Sequence, residues 1–378
     1  MINEIDNFET NNCIVNYARG TYESADLNNY LRGCKWYSKD FNYISTNSND
    51  HKIRIFEYTS DDKREMEPIF EIFEPQPIYD FEWCLNEPIL MTTSRYGPVH
   101  CWDLKSDSPI LTFSERCHQD TILSAYSLKS SNSFGYCGYN GFISLVDFET
   151  GKNREKRILK EVTNCKMTII SSINVNPAMN SVYACGSYTG NICLFAEPDG
   201  TFICGFGEYS SGISQIKFSD DGLVIYTCAR KDDRIIAWDL RNPKTFWNVF
   251  NRNSTTNQTI GFDIFGDKLV SGSTDGYVHL WSQNKEMYKK RKICQTVVND
   301  VSFHPSLEII SCSTGNRAKM MFIESDSETE TENSTENVCI KCKQKINSNK
   351  SKVPTNYSLF QAQFHYQNCL YLIDINNI

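Results

Sequence analysis

The chain has 378 residues, of which 13% are aromatic and 22% charged, and a net charge of −8. That is enough chain for one large domain or two ordinary ones with a substantial buried core. No run of about 18 apolar residues occurs, so no transmembrane helix is expected. The opening MINEIDNFETNN is acidic and polar, unlike a secretory signal, and a soluble intracellular protein is expected.

Charge is unevenly placed. Residues 1–28 hold five acids against Arg19, and 324–337 hold six acids and no base. The stretch 29–323 is therefore close to neutral. Binding nucleic acid by overall basicity is excluded, and any such binding must use a local patch.

In chain order, a strand at 13–20 (CIVNYARG) is followed by seven copies of one unit. Each unit opens with a strand: GCKW, YDFEW, LSAYSL, SSINV, SQIKF, GFDIF and DVSF in turn. A second strand then runs into a Gly, Asn or Asp turn: YISTNSND, ILMTTSRYG, FGYCGYNG, VYACGSYTG, VIYTCARKDD, LVSGSTDG and IISCSTGN. A third closes on a large apolar residue: Phe56, Trp102, Val146, Phe195, Trp238, Trp281 and, in KMMF, Phe322. These closing residues are 46, 44, 49, 43, 43 and 41 apart.

A period of about 40–45 residues with four strands per unit is that of a WD-repeat β-propeller. The expected fold is all-β, with seven blades over 29–325. The strand at 13–20, within an N-terminal segment 1–28, closes the ring by completing the last blade. Residues 326–378 are read as an acidic disordered segment and tail, so a cut after about 325 is expected to leave a folded core.

Register supports the repeat. Ten residues before each closing residue, or nine in the third unit, stand Thr46, Thr92, Cys137, Cys185, Cys228, Ser271 and Cys312, all small. Such a position suits a crowded strand near the axis, and the four cysteines read as small buried hydrophobes. Trp-Asp itself occurs only at 102–103 and 238–239, and a His shortly before a first strand is clear only at His118. The His–Ser/Thr–Asp–Trp hydrogen-bond network of strong WD repeats is therefore expected to be incomplete in most blades.

In the tail, Cys339, Cys342, His365 and Cys369 formally spell C-x2-C and H-x3-C, a set able to hold zinc. The gap between the pairs is longer than usual and carries an Asn/Ser/Lys linker. The reading kept is a tail without metal, whose apolar end NCLYLIDI docks on the propeller.

No catalytic constellation emerges. None of the six histidines sits beside a nucleophile motif, and no phosphate-binding glycine loop is present. His304, in FHPS, reads as a turn residue. Neither an enzyme nor a cofactor is expected.

The second-to-third strand turns of a propeller share one face with the loops linking the blades. Here that face carries Arg95, Tyr96, Tyr139, Tyr188, Arg230, Lys231, Arg234 and Arg317. Guanidinium groups interleaved with Tyr rings offer what a single-stranded RNA loop requires, phosphate neutralisation and flat surfaces for bases. The plainer alternative is a solvated rim, with Arg230 and Lys231 paired to Asp232 and Asp233.

Nine motifs, LRGCKW (31–36), PIYD (77–80), VHCWDL (99–104), YACGSYTG (183–190), ARKDD (229–233), WDLR (238–241), TTNQ (255–258), LVSGSTDG (269–276) and VSFHPSLE (301–308), resemble in order those of the telomerase Cajal body protein family. ARKDD and TTNQ are the specific ones. The resemblance covers about 29–323, with the third repeat poorly matched. It implies a non-enzymatic adaptor that binds small Cajal body (box H/ACA) RNAs, telomerase RNA among them where it carries the same loop element. Box H/ACA ribonucleoprotein proteins are implied as partners. The implied location is the nucleus and its Cajal bodies, with a share in the cytoplasm. The rival reading is a protein-only WD-repeat scaffold whose propeller face binds peptides.

Overall fold

Short alternating segments joined by tight turns pair locally, and a four-stranded sheet with two apolar faces must be covered on both. In the computed structural model, twenty-eight strands pair antiparallel into seven four-stranded sheets among the described residues, a seven-bladed propeller as expected. The described residues are 13–317 and 368–378, except 23–28, 38–41, 60–64, 132–133, 160–164 and the single residues 86, 107, 118, 149, 180 and 208. His118, KMMF, the acidic segment, Cys339, Cys342 and His365 lie outside them.

The first strand of each unit is innermost and neighbours the first strand of the next blade: Leu31–Trp36, Ile78–Trp83, Ser127–Ser130, Ile170–Val175, Ile213–Phe218, Phe262–Phe265 and Val298–Phe303. Apolar clusters fill the spaces between blades; one joins Leu194 of blade four to Ile216 and Trp238 of blade five. The seven small residues of the register test all sit on second strands with no exposure. Burial pushes the thiols of Cys137, Cys185 and Cys312 well above their ordinary range and raises that of Cys228.

Side chains also stitch each inner strand to the next. Lys35 of blade one reaches Asp80 of blade two at 3.2 Å, and Asp80 accepts from Leu128 N–H of blade three at 2.8 Å. Ser127 donates to Ile170 O (2.8 Å), Asn174 to Ile216 O (2.9 Å), and Gln215 accepts from Phe262 N–H (2.9 Å). Asp263 accepts from Phe303 N–H (2.9 Å), and Asp300 from Cys34 N–H (3.1 Å), which closes the circle.

The degenerate repeats use substitutes for the usual histidine. In blade two Trp102 Nε1 donates to Thr92, which donates to the buried Glu74; in blade five Trp238 Nε1 donates to Thr227, which also meets Tyr209. His304 is a turn residue: its Nδ1 accepts from the N–H groups of Ser306 and Leu307 at 3.1 and 3.0 Å.

Blade seven departs from the sequence reading. Its strands run, from the axis outward, Val298–Phe303, Ile309–Thr314, Leu370–Asp374 and Ile14–Ala18. The third place, assigned from sequence to KMMF, is taken by LYLID near the C-terminus. The docking end of the tail is therefore an integral strand, with Leu370, Leu372 and Ile373 fully buried. KMMF has the right spacing, but LYLID offers four consecutive apolar residues, all buried, to a strand place covered on both faces. Cys369 sits at that strand's edge, fully buried, its N–H bonded to Thr314 Oγ1 at 3.1 Å and its thiol pushed up by burial to about 12. A thiol so placed is a core group rather than an open metal ligand.

Candidate nucleic-acid interface at the channel mouth

The turn at 229–234 crowds three cations beside two aspartates, and its geometry assigns each a different task. Lys231 takes a left-handed backbone (φ 56°), which tightens the turn. Asp232 accepts from Arg234 through N–H (2.9 Å), Nε (3.0 Å) and Nη2 (2.8 Å). Burial raises the Asp232 carboxyl, but these bonds outweigh it and hold the group below its usual range. Asp233 accepts from Ser254 N–H (2.6 Å) and Thr255 Oγ1 (3.0 Å), pinning the loop between blades five and six. Both carboxylates are thus engaged in architecture, and neither pairs with Arg230 or Lys231.

Arg230 points to the axis. Its Nη1 donates to Asn257 O, its guanidinium carbon lies 5.7 Å from the ring centre of Tyr188, and its buried Nε has no partner. Burial, and after it the neighbouring charge of Arg32, pushes its pKa down. Arg32 donates from Nη1 to Ile78 O at 2.6 Å. Both guanidinium groups line the same cavity, and the described residues give neither an ion pair. An anion arriving there relieves both the repulsion and the lost hydration.

They border a central channel of about 1140 Å³. Deep in it, Lys35 pairs with Asp80 and Glu82 (3.2 and 2.8 Å), Lys129 with Glu82 (2.6 Å) and Lys217 with Asp263 (2.5 Å). The interior cations are matched by carboxylates, whereas the mouth keeps Arg32, Arg230, Lys231 and Arg317.

Aromatic rings flank this charge. Tyr79 and Tyr126 stack with ring centres 5.3 Å apart and planes 22° from parallel. Burial raises the Tyr79 hydroxyl, and the charges of Arg95 and Arg32 act against that, which puts all of them in one electrostatic neighbourhood. Tyr96 is 68% exposed, with Arg95 4.8 Å from its ring centre and bonded to its hydroxyl at 3.0 Å.

Of the residues read from sequence, Arg230, Lys231 and Arg317 line the mouth. Arg95 and Tyr96 stand just outside it, and Tyr188, half exposed, lies under Arg230. Two are elsewhere. Tyr139 is 2% exposed and stacked on Phe142 at 4.8 Å in the core between blades two and three, so its ring receives no base. Arg234 is held by Asp232 and packs over Tyr209 at 5.7 Å.

Sequence reasoning missed Arg32, Tyr79 and Tyr126. They belong to the starts of inner strands, not to turns. Arg32 and Tyr79 are each the second residue of their strand, and Tyr126 immediately precedes its own. The signal was their shared register: the matching places in blades four and five hold Ser171 and Ser214.

The WD domain, G-beta repeat family model matches residues 256–282, within blade six and the loop before it. Over 334 residues, 80% of this chain, the sequence is 32% identical to telomerase Cajal body protein 1 of Mus musculus, covering 62% of that protein. The Homo sapiens protein is 32% identical over 78% of this chain and 58% of its own length. The Drosophila melanogaster homolog is 25% identical over 77% of this chain. The chain spans about three-fifths of the length of the relatives it matches. Seven WD-type blades together with this similarity make the chain a homologue of the telomerase Cajal body proteins over four-fifths of its own length.

Proposed function

We propose that this protein is a non-enzymatic RNA-binding adaptor that receives the terminal loop of a small Cajal body (box H/ACA) RNA at the channel mouth. It then directs the particle to Cajal bodies in the nucleus. Telomerase RNA is a client where it carries the same loop element. The observation that carries this reading is the Arg32 and Arg230 pair, without carboxylate partners, beside the Tyr79–Tyr126 stack. Phosphates take up the guanidinium and Lys231 charges, while unstacked bases lie on Tyr79, Tyr96 or Tyr188. The names of the relatives speak of telomerase and the Cajal body, and the class of RNA follows from the motif resemblance alone.

The test is Arg230→Glu with Lys231→Glu. Melting temperature is expected to move by no more than a few degrees, since Lys231 is exposed and Arg230 gives up one hydrogen bond, to Asn257 O, worth about 1 kcal/mol. Affinity for a small Cajal body RNA hairpin is expected to fall at least roughly 100-fold, through lost phosphate contacts and new repulsion. Binding of the open terminal loop by the parent should decline with salt at a log–log slope of only about −1 to −3, because a small patch on a single strand releases few counterions. Unchanged affinity in a folded double variant sinks the reading and leaves the protein-only scaffold.

A further inference from the structure

We propose a second nucleic-acid contact on the flank of the propeller: the outer strand of blade six, Tyr288–Lys292, grips the phosphate backbone of the stem beneath the bound loop. This rests on the mouth being the loop site. The strand reads YKKRK, four cations in five residues, and all five are exposed. In a chain of net charge −8 this is a concentrated positive strip. A second outer strand rich in cations, Lys152–Ile158 of blade three, is a useful contrast. There Lys156 and Arg157 are matched by Glu115 (3.2 Å), Glu155 (2.9 Å) and Glu197 (2.8 Å). Lys289 and Lys290 have no such carboxylate among the described residues.

The strip is also a fixed platform. Tyr288 bonds through its hydroxyl to His279 Nδ1 at 2.9 Å, and His279, Trp281 and Tyr288 form one stack with centres 5.3–5.9 Å apart. Farther up, Lys290 and Lys292 lie 5.1 and 5.7 Å from the ring centre of Tyr277. Two ammonium groups two residues apart on a strand are about 7 Å from each other, held on one face by one ring.

Position gives the occupant. Lys292 pairs with Tyr277, which follows the second-to-third strand turn, so the strip ends at the mouth face. The chain then passes through 293–297, where Val297 O accepts from Gly315 N–H at 3.0 Å, two residues before Arg317. Positive charge thus stands at the mouth, in Arg317, and again at the top of the strip, in Lys292, with the uncharged stretch 293–297 between them. A loop seated in the mouth brings its own stem across that stretch, and duplex phosphates are the densest negative surface it presents.

The experiment neutralises Lys289, Lys290 and Lys292 together to Gln, sparing Arg291, which contacts Cys13. A companion variant carries Arg at the same three places. Binding is measured for an RNA hairpin and for its terminal loop as an open single strand. The Gln variant is expected to bind the hairpin about tenfold more weakly near 0.15 M salt. Its log–log salt slope should be smaller by about 2.7, from about 0.9 for each of three lost duplex contacts. The open loop should bind as before, and the Arg variant should match the parent. Hairpin affinity that falls here but not in the Arg230/Lys231 variant supports the flank and sinks the mouth. Hairpin affinity that falls only in the Arg230/Lys231 variant overturns the flank. The flank is equally overturned if the Gln variant keeps its RNA affinity but self-associates, marking an edge guard, or loses nuclear accumulation, marking an import-carrier site.

Discussion

Blades five and seven have the same four-stranded form and are built in opposite ways. Blade five is one continuous stretch, 213–251, in which every strand pairs with its sequence neighbour across a short turn. Blade seven is assembled from 298–314, 370–374 and 14–18. Its register joins Ile310 to Ile373 and Ile373 in turn to Ile14, and Asp374 N–H donates to Cys13 O at 2.9 Å. The first blade can form from local contacts. The second must bring both ends of the described chain to one sheet, and that costs loop-closure entropy before any contact is made. Identical architecture therefore hides a difference in cooperativity: blade five is a unit of the ring, and blade seven is its lock.

The largest effect should come from opening the lock. A chain ending at residue 317 loses the third strand of blade seven, leaves Ile14–Ala18 without its partner, and exposes the edge of Ile309–Thr314. Its cooperative thermal transition, followed by circular dichroism, is expected to disappear, with aggregation through the open edge. A chain that still melts sharply near the parent temperature would show that six blades and a half suffice. The contrast between the two blades would then be one of wiring only.

How far the sequence reveals these features follows the same contrast. Blade five is legible because its period, turn and closing Trp238 lie within one short window. Blade seven is legible in its first two strands and in the N-terminal closing strand, CIVNYARG, but its third strand was assigned to KMMF. Nothing in a local window says that LYLID, some fifty residues later, competes for the same place. Buried neighbours decide that competition, with Ile310 and Cys312 on one side and Ile14 on the other. The mouth shows a similar limit. Arg230 and Lys231 are visible as cations in a turn, yet what frees them is that Asp232 bonds Arg234 and Asp233 bonds Ser254. Arg32, Tyr79 and Tyr126 come from three consecutive repeats, and only the packing of one blade on the next brings them together.

Acid offers a second way to sharpen the comparison, because blade six joins the two. His279 there is 6% exposed, its Nε2 has no partner, and burial pushes its pKa down to about 4. A histidine whose folded pKa is depressed contributes stability above its unfolded value, near 6.5, and loses it as pH falls toward the folded value. Between about pH 6.5 and pH 4 the loss should approach 3 kcal/mol, from about 1.4 kcal/mol per unit. Urea melts across that range should show it, and His279→Phe should flatten it. Hydrogen exchange at pH 5 should then open blade seven before blade five. Equal opening of the two would mean that the ring yields as a whole.

The smallest effect tests blade five from within. Thr227 Oγ1 accepts from Trp238 Nε1 at 2.9 Å, and Tyr209 donates to Thr227 O at 2.6 Å. Thr227→Val keeps the shape and the carbonyl, so Tyr209 retains its bond, but the buried indole N–H loses its acceptor. An orphaned buried donor costs about 1–3 kcal/mol. Blade seven has no counterpart to this bond: counted from the paired inner-strand starts, Ile213 with Ala229 and Val298 with Thr314, the equivalent of Thr227 is Cys312, opposite Tyr371, one place off the ten-residue register that set Cys228 beside it. If blade five is a locally formed unit, the change should raise hydrogen exchange within Val224–Ala229 and Arg234–Asp239 and leave Leu370–Asp374 protected. The melting temperature should drop by a few degrees without loss of cooperativity. Faster exchange at Leu370–Asp374 in this variant would mean that strain in one blade reaches the lock through the inner-strand stitching from Gln215 to Phe262 and from Asp263 to Phe303. The ring would then be a single cooperative circuit in which no blade is local.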